Sequence, residues 1–175
     1  EVAAHAGAGR SQVMYHRMGD PVAKDTVLFR QYTAAEDATL STTWGPFGSL
    51  SRDGRWLVLG YWVDTKSNDL WLVDFDRFRK TGKIEKKIVS VGVPGLAVGT
   101  VIDKVLYVQT TKGAAKGRIV AVDAAAPDLT KGRVLVPERD NAVIESVGMA
   151  KGRIAVSYLM NASNTIEVFD LGGAS

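Results

Sequence analysis

Hydrophobic positions in this chain come in short runs broken by turn residues, and the same arrangement returns three times. Trp56 to Val63 is an apolar run launched by Arg52-Asp53-Gly54, reversed by the polar stretch Asp64 to Asp69, and answered by Leu70 to Phe75. Asp-Gly supplies a residue that accepts positive φ at low cost, and Trp, Leu, Val and Tyr suit a pleated surface, so this stretch predicts two antiparallel strands. Val105 to Gln109 and Arg118 to Asp123 repeat the unit after Asp103-Lys104. Ile154 to Leu159 and Thr165 to Leu171 repeat it after Lys151-Gly152-Arg153. The turns at Asp53, Asp103 and Lys151 are 50 and 48 residues apart, and the aspartates closing the return strands, Asp74, Asp123 and Asp170, are 49 and 47 apart. Two independent markers holding one period, with about four short strands per unit, predict β-propeller blades.

The flanking segments complete an inventory. Residues 1–11 read as a flexible Ala/Gly-rich lead-in. Gln12 to Met18 and Asp25 to Gln31 are strands, the last two of a blade, giving a half blade over 12–31. After the polar connector Tyr32 to Pro46, blades follow over 47–90 and 96–136, and an incomplete one over 143–171. Arg77 to Thr81 reads as a charged link and Lys83 to Ser90 as an outer strand. Arg133 to Val136 is an outer strand that Pro137 ends, as an edge permits. The fold class is therefore all-β, a partial β-propeller of three to four four-stranded antiparallel blades with the first and last incomplete. Such blades bury their faces against neighbours, so the terminal ones are unsatisfied and the isolated chain is expected to form a homo-oligomer. Gly54 sits in a tight turn where left-handed backbone is expected; Gly113, in a longer loop, carries no such expectation.

Composition narrows the function classes. At 175 residues with 46% hydrophobic and 23% charged positions, the chain is long enough for one ordinary core. Eighteen glycines against five prolines suit a turn-rich β protein. The formal charge of +3 is interspersed, without the basic stripe and interleaved aromatics of a nucleic-acid binder. No run approaches the roughly 20 apolar residues that span a bilayer, so no membrane partner is expected. Cysteine is absent, which removes disulfide and thiolate chemistry. A start at Glu1 rather than Met reads as an excised piece.

Catalytic signals are missing where the chemistry needs them. A hydrolytic triad requires nucleophile, base and orienting acid within reach of one another. His5 falls in the lead-in, His16 reads as a packed or edge strand histidine, and Gly48-Ser49-Leu50-Ser51 is not a nucleophile elbow. Gly7-Ala8-Gly9 follows no strand, and Gly92-Val93-Pro94-Gly95 is a blade turn rather than a phosphate loop. Two distant histidines and scattered carboxylates make no metal cluster. Trp44, Trp56, Trp62 and Trp71 could form a stacking platform, though strand and core packing is the plainer expectation. No catalytic, cofactor-binding or metal-binding residue is assigned, and no cofactor is expected.

Four segments in register resemble the propeller of the prolyl oligopeptidase family. They are Tyr15-His16-Arg17-Met18-Gly19-Asp20-Pro21 with Asp25-Thr26-Val27-Leu28; Leu50-Ser51-Arg52-Asp53-Gly54-Arg55-Trp56-Leu57; Leu135-Val136-Pro137-Glu138 with Val143-Ile144-Glu145-Ser146-Val147; and Ser157-Tyr158-Leu159 with Asn164-Thr165-Ile166 and Phe169-Asp170-Leu171. The resemblance implies a seven-bladed propeller gating an α/β-hydrolase domain whose Ser, Asp and His follow the propeller in sequence. It also implies short peptides as substrates, cut usually after proline. None of those three positions lies in this chain. Where some relatives place a substrate-facing arginine, this sequence has Trp62. The alternative is a non-catalytic propeller-like scaffold that binds protein partners through its loops.

Overall fold

The computed structural model describes residues 10–175. The lead-in expected over residues 1–11 lies, but for its last two positions, outside them, as does His5.

Among the described residues thirteen strands form four antiparallel sheets. The first pairs β1 (Gln12–Tyr15) with β2 (Thr26–Arg30). The second runs β3 (Gly45–Leu50), β4 (Trp56–Trp62), β5 (Asn68–Asp74), then, after helix α1 (Phe75–Thr81), β6 (Lys87–Ser90). The third runs β7 (Ala97–Ile102), β8 (Val105–Thr110), β9 (Arg118–Asp123) and β10 (Arg133–Val136). The fourth holds β11 (Val143–Ala150), β12 (Arg153–Met160) and β13 (Ser163–Asp170). In every sheet the strands lie side by side in chain order.

Why the apolar runs are nearly continuous becomes clear from the packing. Leu57, Leu59 and Tyr61 of β4 face the first sheet, in a core with Leu28, Phe29, Trp71 and Val73. Trp56 and Val58, alternating with them, face the third sheet and meet Leu106, Val108, Val120 and Val122. The opposite side of that third sheet, through Tyr107 and Ile119, packs on Ile154, Val156, Tyr158 and Phe169 of the fourth. Three cores thus alternate with four sheets, and a central strand is covered on both faces. This stacking of like units, each burying its neighbour, is the arc of a β-propeller. Its last sheet ends with Ile166 and Val168 69% and 51% exposed.

Several local expectations are corrected. The charged link Arg77 to Thr81 belongs to α1. Asp74 caps it by accepting from Arg77 N at 3.0 Å, and Gly82, at φ 69°, closes it by donating to Phe78 O at 2.7 Å. Phe75 and Phe78, one turn apart, are buried against Tyr15. The outer strand expected from Lys83 begins only at Lys87, because the helix takes up the slack. Between β12 and β13 the chain reverses in a two-residue turn, Asn161-Ala162, with both φ positive, so β13 begins at Ser163 rather than at the expected Thr165. Gly113 has φ +65°, as left-handed as Gly54 at +71°, so the contrast drawn between them does not hold.

Candidate functional site

Chemistry-bearing side chains collect at the two ends of the sheets. At one end the turns following β3, β7 and β11 converge. They line a cavity of about 400 Å³ with Arg52, Asp53, Asp103 and Lys151 around a floor that includes Val101 and Met149. Asp53 is committed to its turn, accepting from Ser51 Oγ at 2.5 Å and Arg55 N at 3.1 Å. Those bonds hold its carboxyl below the usual range. Asp103 and Lys151 occupy left-handed positions, φ 55° and 50°, that the tight reversal imposes.

At the other end, the second and third sheets are stitched by buried polar groups. The Asn68 amide acts as a peptide group would: it donates to Ala97 O at 2.9 Å and accepts from Ala97 N at 2.8 Å. Lys112, almost fully buried, donates through Nζ to Asn68 O at 2.5 Å and Val93 O at 2.9 Å. Burial pushes its pKa down, and the nearby Asp69 only partly offsets this. These contacts rigidify the junction. Sequence reasoning missed both residues, because polar positions beside a loop read as solvated.

Arg139 holds Glu167 through paired 2.6 and 2.7 Å hydrogen bonds and lies 4.3 Å over the Tyr158 ring. His16, just past the end of β1 rather than within a strand, pairs Nδ1 with Asp25 Oδ1 at 2.6 Å. That is a base with its orienting acid, yet no hydroxyl hydrogen-bonds His16 among the described residues, so the pair ties the β1–β2 turn. Trp56 and Trp71 are core, as packing predicts; Trp62 is half-buried and Trp44 is 63% exposed.

Sheets stacked in series, with their first-strand turns gathered about one cavity, define a β-propeller domain. The chain belongs to the prolyl oligopeptidase family: the family's sequence model for the N-terminal beta-propeller domain matches residues 2–175. Prolyl oligopeptidase A of Galerina marginata (strain CBS 339.88) is 25% identical over 165 residues, covering 93% of this chain and 21% of that protein. Prolyl oligopeptidase A of Amanita bisporigera is 24% identical over 168 residues, covering 94% and 21%. A solved prolyl endopeptidase superimposes with a TM-score of 0.77 at 27% identity, covering 93% of this chain and 22% of that one. The chain therefore spans about a fifth of the length of the curated relatives it matches.

Proposed function

We propose that this chain is an arc of the propeller of a serine peptidase that cleaves short peptides after proline. In this reading the propeller roofs an α/β-hydrolase domain that supplies the catalytic Ser, Asp and His, none of which is assigned here. A ring of blades over an active site admits extended peptides, rejects folded domains and limits water during the reaction. The blades contribute gating, and the chemistry belongs to the domain beneath. The observation that carries the reading is the family match along residues 2–175, on four sheets stacked as blades.

The test uses the full-length protein that carries this chain, purified beside the chain alone. The full-length protein is expected to hydrolyse short chromogenic peptides ending in proline, to be blocked by a serine-directed inhibitor, and to leave a folded proline-containing protein intact. The chain alone is expected to give no turnover. Full-length protein inert toward every proline peptide overturns the peptidase reading. Rapid cleavage of the folded protein overturns the size filter.

A further inference from the structure

The aspartates that close the return strands mark equivalent places in successive blades. Six residues before Asp74 stands Asn68, whose amide bonds both backbone groups of Ala97, the first residue of β7. Six residues before Asp123 stands Gly117. It lies close to the fourth sheet, since an added Cβ would meet Ile144 Cβ at 3.1 Å, but it has no side chain to bond with. The second and third sheets are clamped where the third and fourth only touch.

Lys112 completes the clamp. It follows β8 in the third sheet and is 2% exposed. Its ammonium holds Asn68 O, at the start of β5, and Val93 O, in the linker between the two sheets. Gly95 brings that linker in close: at φ +112° its added Cβ would stand 2.9 Å from Lys112 N. Two charged residues face the site. Asp69 spends Oδ1 on Gly92 N at 2.8 Å, and Arg118 donates to Lys112 O at 3.0 Å. All these groups lie within residues 68–118, so two adjacent blades suffice to bury the ammonium.

A charged donor binds carbonyls more strongly than a neutral one, and withdrawing it from a closed site leaves its acceptors dehydrated. The next junction is built differently. Ile144 N donates to Lys116 O at 2.9 Å and Arg133 to Gly172 O at 2.9 Å. Between Tyr107 and Gln109 on the third sheet and Val147 and Met149 on the fourth lies a cavity of about 300 Å³. Side chains lining a void forfeit packing contacts on that side.

We propose that Asn68 and Lys112 form an interblade latch that makes the second and third blades one rigid body, so that the propeller yields first at the junction of the third and fourth. In a propeller that gates a site, the junction that yields first is where the filter widens. The latch itself stands on the blade packing and is independent of the peptidase reading.

Its test is amide hydrogen exchange of the full-length protein, read by mass spectrometry. Peptides spanning residues 92–98 carry the Ala97 amide that Asn68 holds, and those spanning 142–146 carry the Ile144 amide that Lys116 holds. In the wild type, Ala97 is expected to exchange at least about tenfold more slowly than Ile144, relative to their unfolded rates. Lys112→Met is expected to speed Ala97 by about tenfold and leave Ile144 within about twofold. Lys112→Arg, which keeps a cation and its donors, should restore most of the protection. Circular dichroism checks folding; Asn68→Ala replaces Lys112→Met if that variant does not fold, and the wild-type comparison needs neither. Ile144 as slow as Ala97 in the wild type overturns the order of the junctions. A folded Lys112→Met with Ala97 unchanged, or with both amides speeded alike, overturns the latch.

Discussion

Replacing Gly60 by alanine is the sharpest probe of how the second sheet is put together. The new methyl would meet Phe47 Cζ at 2.0 Å, Cε1 at 2.4 Å and Cε2 at 2.5 Å, well inside van der Waals contact. The ring must therefore move by more than an ångström or rotate out of its site. Forcing an extra carbon into a packed core costs about 1–3 kcal/mol, and losing a strand-interior glycine returns roughly 0.5–1 kcal/mol. A net loss of about 1–2 kcal/mol is expected. Urea unfolding followed by far-UV circular dichroism measures it, and the emission of Trp62 reports the displaced ring. Gly148→Ala is the control, since nothing lies within 4 Å of its added Cβ and its φ is not left-handed. Phe47→Ala should make the second site tolerant, so the double variant is expected to be about 1 kcal/mol more stable than additivity allows. Gly60→Ala as stable as Gly148→Ala, or strict additivity with Phe47→Ala, would refute the packing argument.

Three further outcomes follow from other parts of the fold. Gly54→Val and Gly113→Val should each destabilise by about 1–3 kcal/mol, because both backbones are left-handed; a neutral Gly113→Val in chemical denaturation would contradict this. Asp53 has a lowered folded-state pKa, so its contribution is present above the unfolded value near 3.8 and lost as pH falls through the folded one. The stability gap between wild type and Asp53→Asn should therefore be constant near neutrality and shrink in acid; a gap that widens on acidification would show the turn bonds are absent. The isolated chain should associate through its terminal sheets, where Met14, Val27, Ile166 and Val168 are exposed; light scattering showing a clean monomer with cooperative unfolding would sink the edge argument.

Strand existence was legible because the strands are covered on both sides: β4 and β5 read as long apolar runs, and the spacing of their turns revealed the repeat. Helix α1 was equally written, with Asp74 before it, Phe75 and Phe78 one turn apart and Gly82 after it. It was overlooked because five of its seven residues are polar or charged and dominate a strand-by-strand reading. The division of the tryptophans could not be read from alternation. Trp56 and Trp62 share one face of β4 at its opposite ends, yet Trp56 is buried and Trp62 only half-buried. Gly60 between them was the available signal, since a glycine inside an apolar strand announces a close approach. The Asn68–Lys112 stitch was illegible in principle, because it depends on two blades meeting over residues 44 positions apart.

The central claim, that these sheets are consecutive blades of a larger ring, is tested most directly by amide hydrogen exchange along β13. Chain alone and full-length protein are compared over Ser163–Asp170, the outermost strand of the fourth sheet. In the chain alone, amides on the open edge should exchange quickly while those bonded to β12 are protected. In the full-length protein a further strand should pair with that edge, slowing its open amides by at least about a hundredfold. Open amides that exchange equally fast in both would contradict the account.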